Sequence, residues 1–261
     1  MGIVNATPDS FSGDGRPDPA DAVDHALTLD AESADILDLG AESTRPGHTP
    51  IEPAEELRRL LPVVTGVRAR LPRAVISIDT YKPPVFAAAH AAGGDMLNSI
   101  WGFDDELLAV AVERDVPVVV MHNQRVAVYE RDVVDEVLAY LEHQAERALR
   151  AGLRRERIIL DPGVGFGKTP DHNIALLAAL GRLTALGFPT MLGTSRKSTI
   201  GKLTGRAVSQ RAFGTAATVA LAIAAGIDLV RVHDVAAMRD VAQVSDAIAR
   251  GWRPAGWNTR T

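Results

Sequence analysis

The chain has 261 residues, 46% hydrophobic and 23% charged, with a formal net charge of −5 at pH 7 and no cysteine. This is globular composition; its acidic balance argues against a dedicated nucleic-acid binder, and the missing cysteine excludes disulfides, thiolate nucleophiles and cysteine-held metals. No apolar run nears the ~20 residues of a membrane span, the start lacks the basic region of a secretory signal, and a cytoplasmic location is expected.

Short β-rich runs alternate with helical patterns from one end to the other. Residues 2–5 predict a first strand ending in Asn5, and Pro-Asp-Pro then opens a helix over 20–31. A strand at 36–39 leads into the polar loop Glu-Ser-Thr-Arg-Pro-Gly at 42–47, followed by a helix over 53–71 with Leu57, Leu60, Leu61 and Val64 on one stripe. Strand 75–79 ends in Asp79 and precedes a helix over 82–92 whose first turn holds prolines, where a missing N–H costs little. Strand 96–99 carries Asn98, a helix covers 107–114, and strand 117–121 ends in Met121 with His122 beside it. A helix over 133–151 leads to strand 158–161, which ends in Asp161 and runs into the glycine-rich DPGVGFGK. A helix over 173–186, strand 190–193, the segment GTSRKS opening a short helix, a helix over 210–225, strand 228–232 with Arg231 and His233, and a helix over 235–250 complete the chain.

Eight strands alternating with helices predict a single (β/α)8 TIM-barrel domain over 1–261, with a first strand shortened by starting at Met1. An open doubly wound sheet is the alternative. The barrel is favoured because nearly every strand ends in a polar residue, and a closed parallel barrel gathers all such tips at one mouth.

The tips suggest chemistry. Arg231 and His233, two apart on a strand, face the same way, and a guanidinium can grip phosphate through two parallel hydrogen bonds. Ser195 at a helix start, with Arg196 and Lys197, suits a small anion. Asp79, Asn98 and Asp161 offer in-plane acceptors to a flat heterocycle rich in N–H donors, although each alone also reads as a cap or turn residue. The glycine loop is equally a turn with a capping aspartate, and it lacks the spacing of a nucleotide phosphate loop. His122 is a further candidate. No spacing of His, Asp and Glu suits zinc; Asn5 is a weak oxygen ligand, fitted to Mg²⁺ held mainly by substrate phosphates and water.

Eight segments, GIVNATPDSFS, ESTRPG, SIDTYKP, LNSIWG, VVMHNQ, DPGVGFGK, GTSRKS and RVHDV, together resemble the motifs of the dihydropteroate synthases, in family order and over nearly the whole chain. The resemblance implies a transferase of folate biosynthesis, the target of sulfonamides. It would join 4-aminobenzoate to 6-hydroxymethyl-7,8-dihydropterin diphosphate, through diphosphate loss and a cationic pterin. It implies pterin contacts from Asp79, Asn98, Asp161 and Lys197 with Met121 against the ring, and diphosphate contacts from Asn5, Arg231 and His233 with Mg²⁺ on Asn5. Asp161, Lys197, Arg231 and His233 would carry catalysis. Ser195 would take the aminobenzoate carboxylate, and Phe11, Thr44, Arg45, Pro46 and Phe166 would form loops and walls around it. A homodimer through the last two helices is the family expectation. The chain departs from the pattern at Asp14, displaced by one place, at Ser99, where aspartate is usual, at Thr199, where an aromatic is common, and in its short N-terminal segment. A non-catalytic pterin-binding paralogue is the competing reading. A pterin-dependent methyl-transfer barrel is disfavoured by Ser195-Arg196-Lys197 and the Thr-Arg-Pro-Gly loop.

Overall fold

The computed structural model describes residues 1–7, 15–43 and 49–257. Six strands, β1 (Gly2–Asn5), β2 (Ile36–Gly40), β3 (Val75–Asp79), β4 (Met96–Ser99), β5 (Val118–Met121) and β6 (Ile158–Asp161), pair in parallel in chain order. The last two, β7 (Met191–Leu192) and β8 (Leu229–Val230), pair with each other. Single parallel bridges, Leu160 to Thr190 and Gly2 to Val232, join the two sheets at both edges. The Leu160 N–H donates to the Pro189 carbonyl at 2.8 Å and the Val232 N–H to that of Met1 at 2.9 Å. The eight strands therefore close into a ring, and the open-sheet alternative falls.

The helices wrap the ring. They are α1 (Pro19–Ala31), α2 (Pro53–Arg70), α3 (Pro83–Ala91), α4 (Asp105–Arg114), α5 (Val133–Ala151), α6 (Pro170–Ala178), α7 (Leu180–Thr184), α8 (Ser198–Thr204), α9 (Ala212–Ala224) and α10 (Val235–Ala249). Aspartates start three of them: Asp18, Asp104 and Asp132 each accept backbone N–H groups that the first turn leaves without a helical partner. Gly152 ends α5 in the left-handed region, at φ 109°.

Two expectations need correction. The strands predicted over 190–193 and 228–232 shrink to two residues each, because the Asp228 carboxylate takes the Thr190 N–H and hydroxyl, both at 2.9 Å, in place of a longer ladder. The helix predicted over 173–186 is two, α6 and α7, divided at Ala179. Leu176, Leu180 and Leu183 are all buried across that division, so the apolar period runs through it unbroken. The start of α6 also lies three residues earlier, where Thr169 and His172 cap each other's backbone and Pro170 fills the first position.

Side chains alternate across each strand, so the ring has two cores. The outward faces and the helices form the large one, including Leu37, Leu39, Ile76, Ile78, Val118 and Leu160. Inside the ring, Met1, Met96, Val119, Ile159 and Met191, flanked by Ile36 and Leu229, form a separate apolar plug. The plug closes one end of the barrel, and what lies two residues further along each strand faces the other.

Candidate active site

Two residues beyond the plug come Ile3, Asp38, Asn98, Met121, Asp161, Gly193 and Arg231. The polar members follow from the strand period once the ring is closed. Registration aligns Asn5 with Gly40, Gly40 with Asp79, and Asp79 with Asn98, which sets these tips at one level. Met121 and Asp161 are directly paired on β5 and β6.

The centre of this layer is an ionic knot. The Arg231 guanidinium donates from Nε to Asp38 Oδ2 at 2.6 Å and from Nη2 to Asp79 Oδ2 at 2.8 Å. Asn98 Nδ2 donates to the same Asp38 oxygen at 3.1 Å. Asp38 Oδ1, Asp79 Oδ1 and the nearby Ser77 Oγ are buried with no hydrogen-bond partner. Buried acceptors of this kind are costly unless a donor is supplied. Burial pushes the Asp79 carboxyl up to about 7 against the pull of Arg231, and Asp38 adds to the rise. Burial works against the charge of Arg231, but Asp38 and Asp79 outweigh it and hold the guanidinium above its ordinary value.

On the opposite wall stand Asp161 and Lys197. Burial raises the Asp161 carboxyl, against Lys197 and the Gly163 N–H, which donates to Asp161 Oδ1 at 2.7 Å. Burial lowers Lys197 to about 8, with Asp161 resisting and Arg231 adding to the fall. Lys197 Nζ donates to the Val164 carbonyl and lies 4.5 Å from the centre of the Phe166 ring. Gly163, Gly165 and Gly167 all have positive φ, and a Cβ on Gly163 would sit 1.9 Å from the His122 carbonyl oxygen. Only glycine lets this loop fold so close over the end of β5.

The expected basic cluster at 195–197 is not pooled. Arg196 turns away and makes a two-armed ion pair with Asp234, at 3.0 and 2.5 Å. The backbone reverses at Arg196, with φ 56°, so Arg196 and Lys197 reach different partners. Ser195 lies on the turn before α8, which begins at Ser198, and not at a helix N-terminus. Its Oγ accepts from the His233 N–H at 3.1 Å and meets His233 Nδ1 at 2.8 Å. Thus Arg231 points to β2 and β3, whereas His233 engages the turn after β7. Phe11, Thr44, Arg45 and Pro46, and the displaced Asp14, lie outside the described residues. Two departures from the family pattern have clear local roles. Ser99 Oγ donates to the Gly102 carbonyl at 2.6 Å and closes the turn after β4, while Thr199 Oγ1 accepts from Asn173 at 2.9 Å.

Sequence reasoning missed Asp38. The signal was present: an acid alternating with Ile36 inside Ile-Leu-Asp-Leu-Gly must face the barrel interior, where an uncompensated carboxylate is not tolerated. It also missed a cluster of four side chains that includes residues just past the ends of β2 and β3, with both its carboxylates buried. Lys82 Nζ donates to Glu42 and, at 2.7 Å, to Glu56, while the Tyr81 hydroxyl donates to the other Glu42 oxygen at 2.8 Å. No periodicity in the sequence announces that contact.

Among the described residues no three His, Cys, Asp or Glu side chains gather as a metal nest. Asn5 at the tip of β1 offers one neutral amide oxygen. That suits a hard ion which arrives on a phosphate with its own water, and not a resident metal.

Comparison with known proteins finds relatives of this sequence and this fold. Residues 1–233 match the family model described as pterin binding enzyme. The dihydropteroate synthase of Bacillus subtilis is 42% identical over 251 residues, 95% of this chain and 87% of that protein. The dihydropteroate synthase of Xanthomonas albilineans solved with 4-aminobenzoic acid is 43% identical, with a TM-score of 0.90 over 97% of this chain and 93% of that one. The same enzyme in complex with 7,8-dihydropteroate superposes with a TM-score of 0.85 at 40% identity, over 97% and 93% of the two chains.

Proposed function

The chain belongs to the dihydropteroate synthase family of pterin-binding enzymes, transferases of folate biosynthesis, and we propose how its barrel mouth performs that reaction. The substrates are 6-hydroxymethyl-7,8-dihydropterin diphosphate and 4-aminobenzoate; the products are 7,8-dihydropteroate and diphosphate. The observation that carries this reading is the knot of Asp38, Asp79, Asn98 and Arg231, in which the buried Asp79 Oδ1 has no hydrogen-bond partner and can accept from an N–H donor. A pterin presents such donors along one edge.

Asp79, Asn98, Asp161 and Lys197 grip the pterin, with Met121 against its face. Asp38 holds Arg231 and Asn98 in place from below. Diphosphate lies toward Asn5, Arg231 and His233. The bond between the exocyclic methylene carbon and oxygen breaks, and its electron pair leaves with diphosphate. Arg231 and His233 take up the charge that develops there, while the buried carboxylates stabilise the pterin cation. The arylamine nitrogen of 4-aminobenzoate then bonds to the methylene carbon and releases a proton. An arylamine is already nucleophilic, so no strong base or covalent nucleophile is needed. Ser195 receives the aminobenzoate carboxylate and Phe166 walls that substrate; the family resemblance assigns Phe11, Thr44, Arg45 and Pro46, which lie outside the described residues, to the same substrate. Sulfonamides, which share its shape, compete there. Mg²⁺ would come bound to the diphosphate, with Asn5 as one oxygen ligand, and would neutralise part of the leaving charge.

The test is turnover. Purified protein with both substrates and Mg²⁺ should form pteroate; pterin binding without turnover would favour a non-catalytic paralogue, and no pteroate where a control synthase works would refute the proposal. Two further expectations concern assembly and location. Phe213 and Leu221 on α9 and Val244 and Ile248 on α10 are large, apolar and exposed, which supports a homodimer through these helices. A cytoplasmic location is the second expectation. Among the described residues no helix is long and apolar enough to cross a membrane.

A further inference from the structure

The glycine loop between β6 and α6 is held at several of its peptides. The Gly163 N–H goes to Asp161, the Val164 carbonyl takes Lys197, and the Gly165 N–H donates to Asn173 Oδ1 at 2.7 Å. The Gly167 carbonyl accepts from the Tyr129 hydroxyl at 2.9 Å. The Phe166 carbonyl accepts from Lys168 Nζ at 3.0 Å. Lys168 is the last residue of the motif. It does not turn outward. Its Nζ meets His122 Nδ1 at 2.9 Å and the His122 carbonyl at 3.3 Å. His122 is buried, stacked on Tyr129 and edge-on to Tyr140.

We propose that Lys168 and His122 form a clamp that positions the Phe166 peptide, and with it the ring beside Lys197, so that Lys168 is a positioning residue for the second substrate. This rests on the assignment of Phe166 to the aminobenzoate wall. The chemistry of the pair is consistent. Burial lowers His122 to about 3, with Lys168 adding to the fall, so the imidazole is neutral and its Nδ1 can accept. Burial also lowers Lys168 to about 7, opposed by Asp161. Whether charged or neutral, the amine keeps N–H groups to donate, so the clamp does not depend on the charge. A chain of fixed peptides carries the effect. Loosening the Phe166 carbonyl moves the ring, while Lys197 keeps its own hydrogen bond to the Val164 carbonyl and the knot at Asp38 and Asp79 is untouched.

The experiment replaces Lys168 by Met, which fills the same space without donors, and by Arg, which keeps them. A 1 Å displacement of a positioning group can change rates about a hundredfold; Lys168→Met is expected to raise KM for 4-aminobenzoate about tenfold or more, with KM for pterin diphosphate within about twofold. Lys168→Arg should recover part of the loss. The ¹⁵N resonance of His122 Nδ1 should move toward that of an imidazole nitrogen without a donor in Lys168→Met. His122→Phe, which keeps the ring stack and removes the acceptor, should repeat the KM split and serves if Lys168→Met does not fold. An unmoved His122 resonance, or an equal rise in both KM values, would overturn the clamp. Should the wild-type protein make no pteroate, the functional proposal fails, while the His122 signal still decides whether the clamp exists.

Discussion

Replacing Arg231 with methionine leaves Asp38 and Asp79 facing each other without a cation. Their side chains are 0% and 8% exposed, and the guanidinium reaches them at 2.6 and 2.8 Å. A hydrogen bond to a charged group contributes about 1.5–3 kcal/mol, so two give about 3–6 kcal/mol. Removing one partner of a buried ion pair costs about 3–5 kcal/mol, which agrees. We expect Arg231→Met to lose about 4 kcal/mol at pH 8, which lowers Tm by on the order of 10 °C in a chain of this size. The loss should shrink at pH 6. Asp79 is already pushed up to about 7 with Arg231 present; without the cation it holds its proton more tightly, and a neutral carboxyl tolerates burial. Urea unfolding at both pH values measures the difference, and the double variant with Asp38→Asn should regain part of the stability. A loss below about 1 kcal/mol at pH 8, or one that grows as pH falls, would refute the knot as the source of this stability. The same variant should also raise KM for pterin diphosphate, since the diphosphate loses its guanidinium.

In the unliganded wild-type protein the Asp79 carboxyl titrates near 7 folded, against an ordinary 3.8, so its contribution to stability is complete below about 4 and is lost as pH rises through 7. Asp79→Asn should flatten that slope in thermal melts and weaken pterin diphosphate binding about tenfold or more, measured by calorimetry; unchanged affinity would remove Asp79 from the pterin site. Chelating Mg²⁺ should depress turnover, and Asn5→Ala should raise the Mg²⁺ concentration needed for half-maximal rate; an unchanged requirement would exclude Asn5 as a ligand. Ile248→Glu, placing charge on an exposed apolar face, should yield monomers in sedimentation, and a dimer that survives would move the interface elsewhere.

For β1 to β6 the strand rhythm alone determined, to within a residue, where each strand ends and which side its residues occupy, because side chains alternate with a period of two whatever the partner strand. Asp79, Asn98 and Asp161 were readable on that basis. Partnership was not. Arg231 looked like a free phosphate grip, yet two of its nitrogens are held by carboxylates, one of them 193 positions away in the chain. Arg196 and Lys197 are neighbours in sequence and diverge in space, since a single left-handed residue turns the backbone between them. Lys168 ends a glycine loop without phosphate-loop spacing, and its fold back onto His122 has no signal in the sequence. Only closure of the ring brings the end of the chain against its beginning. The low dielectric of the interior then selects, among all charges on the inner face, the pairings that leave the least charge unbalanced.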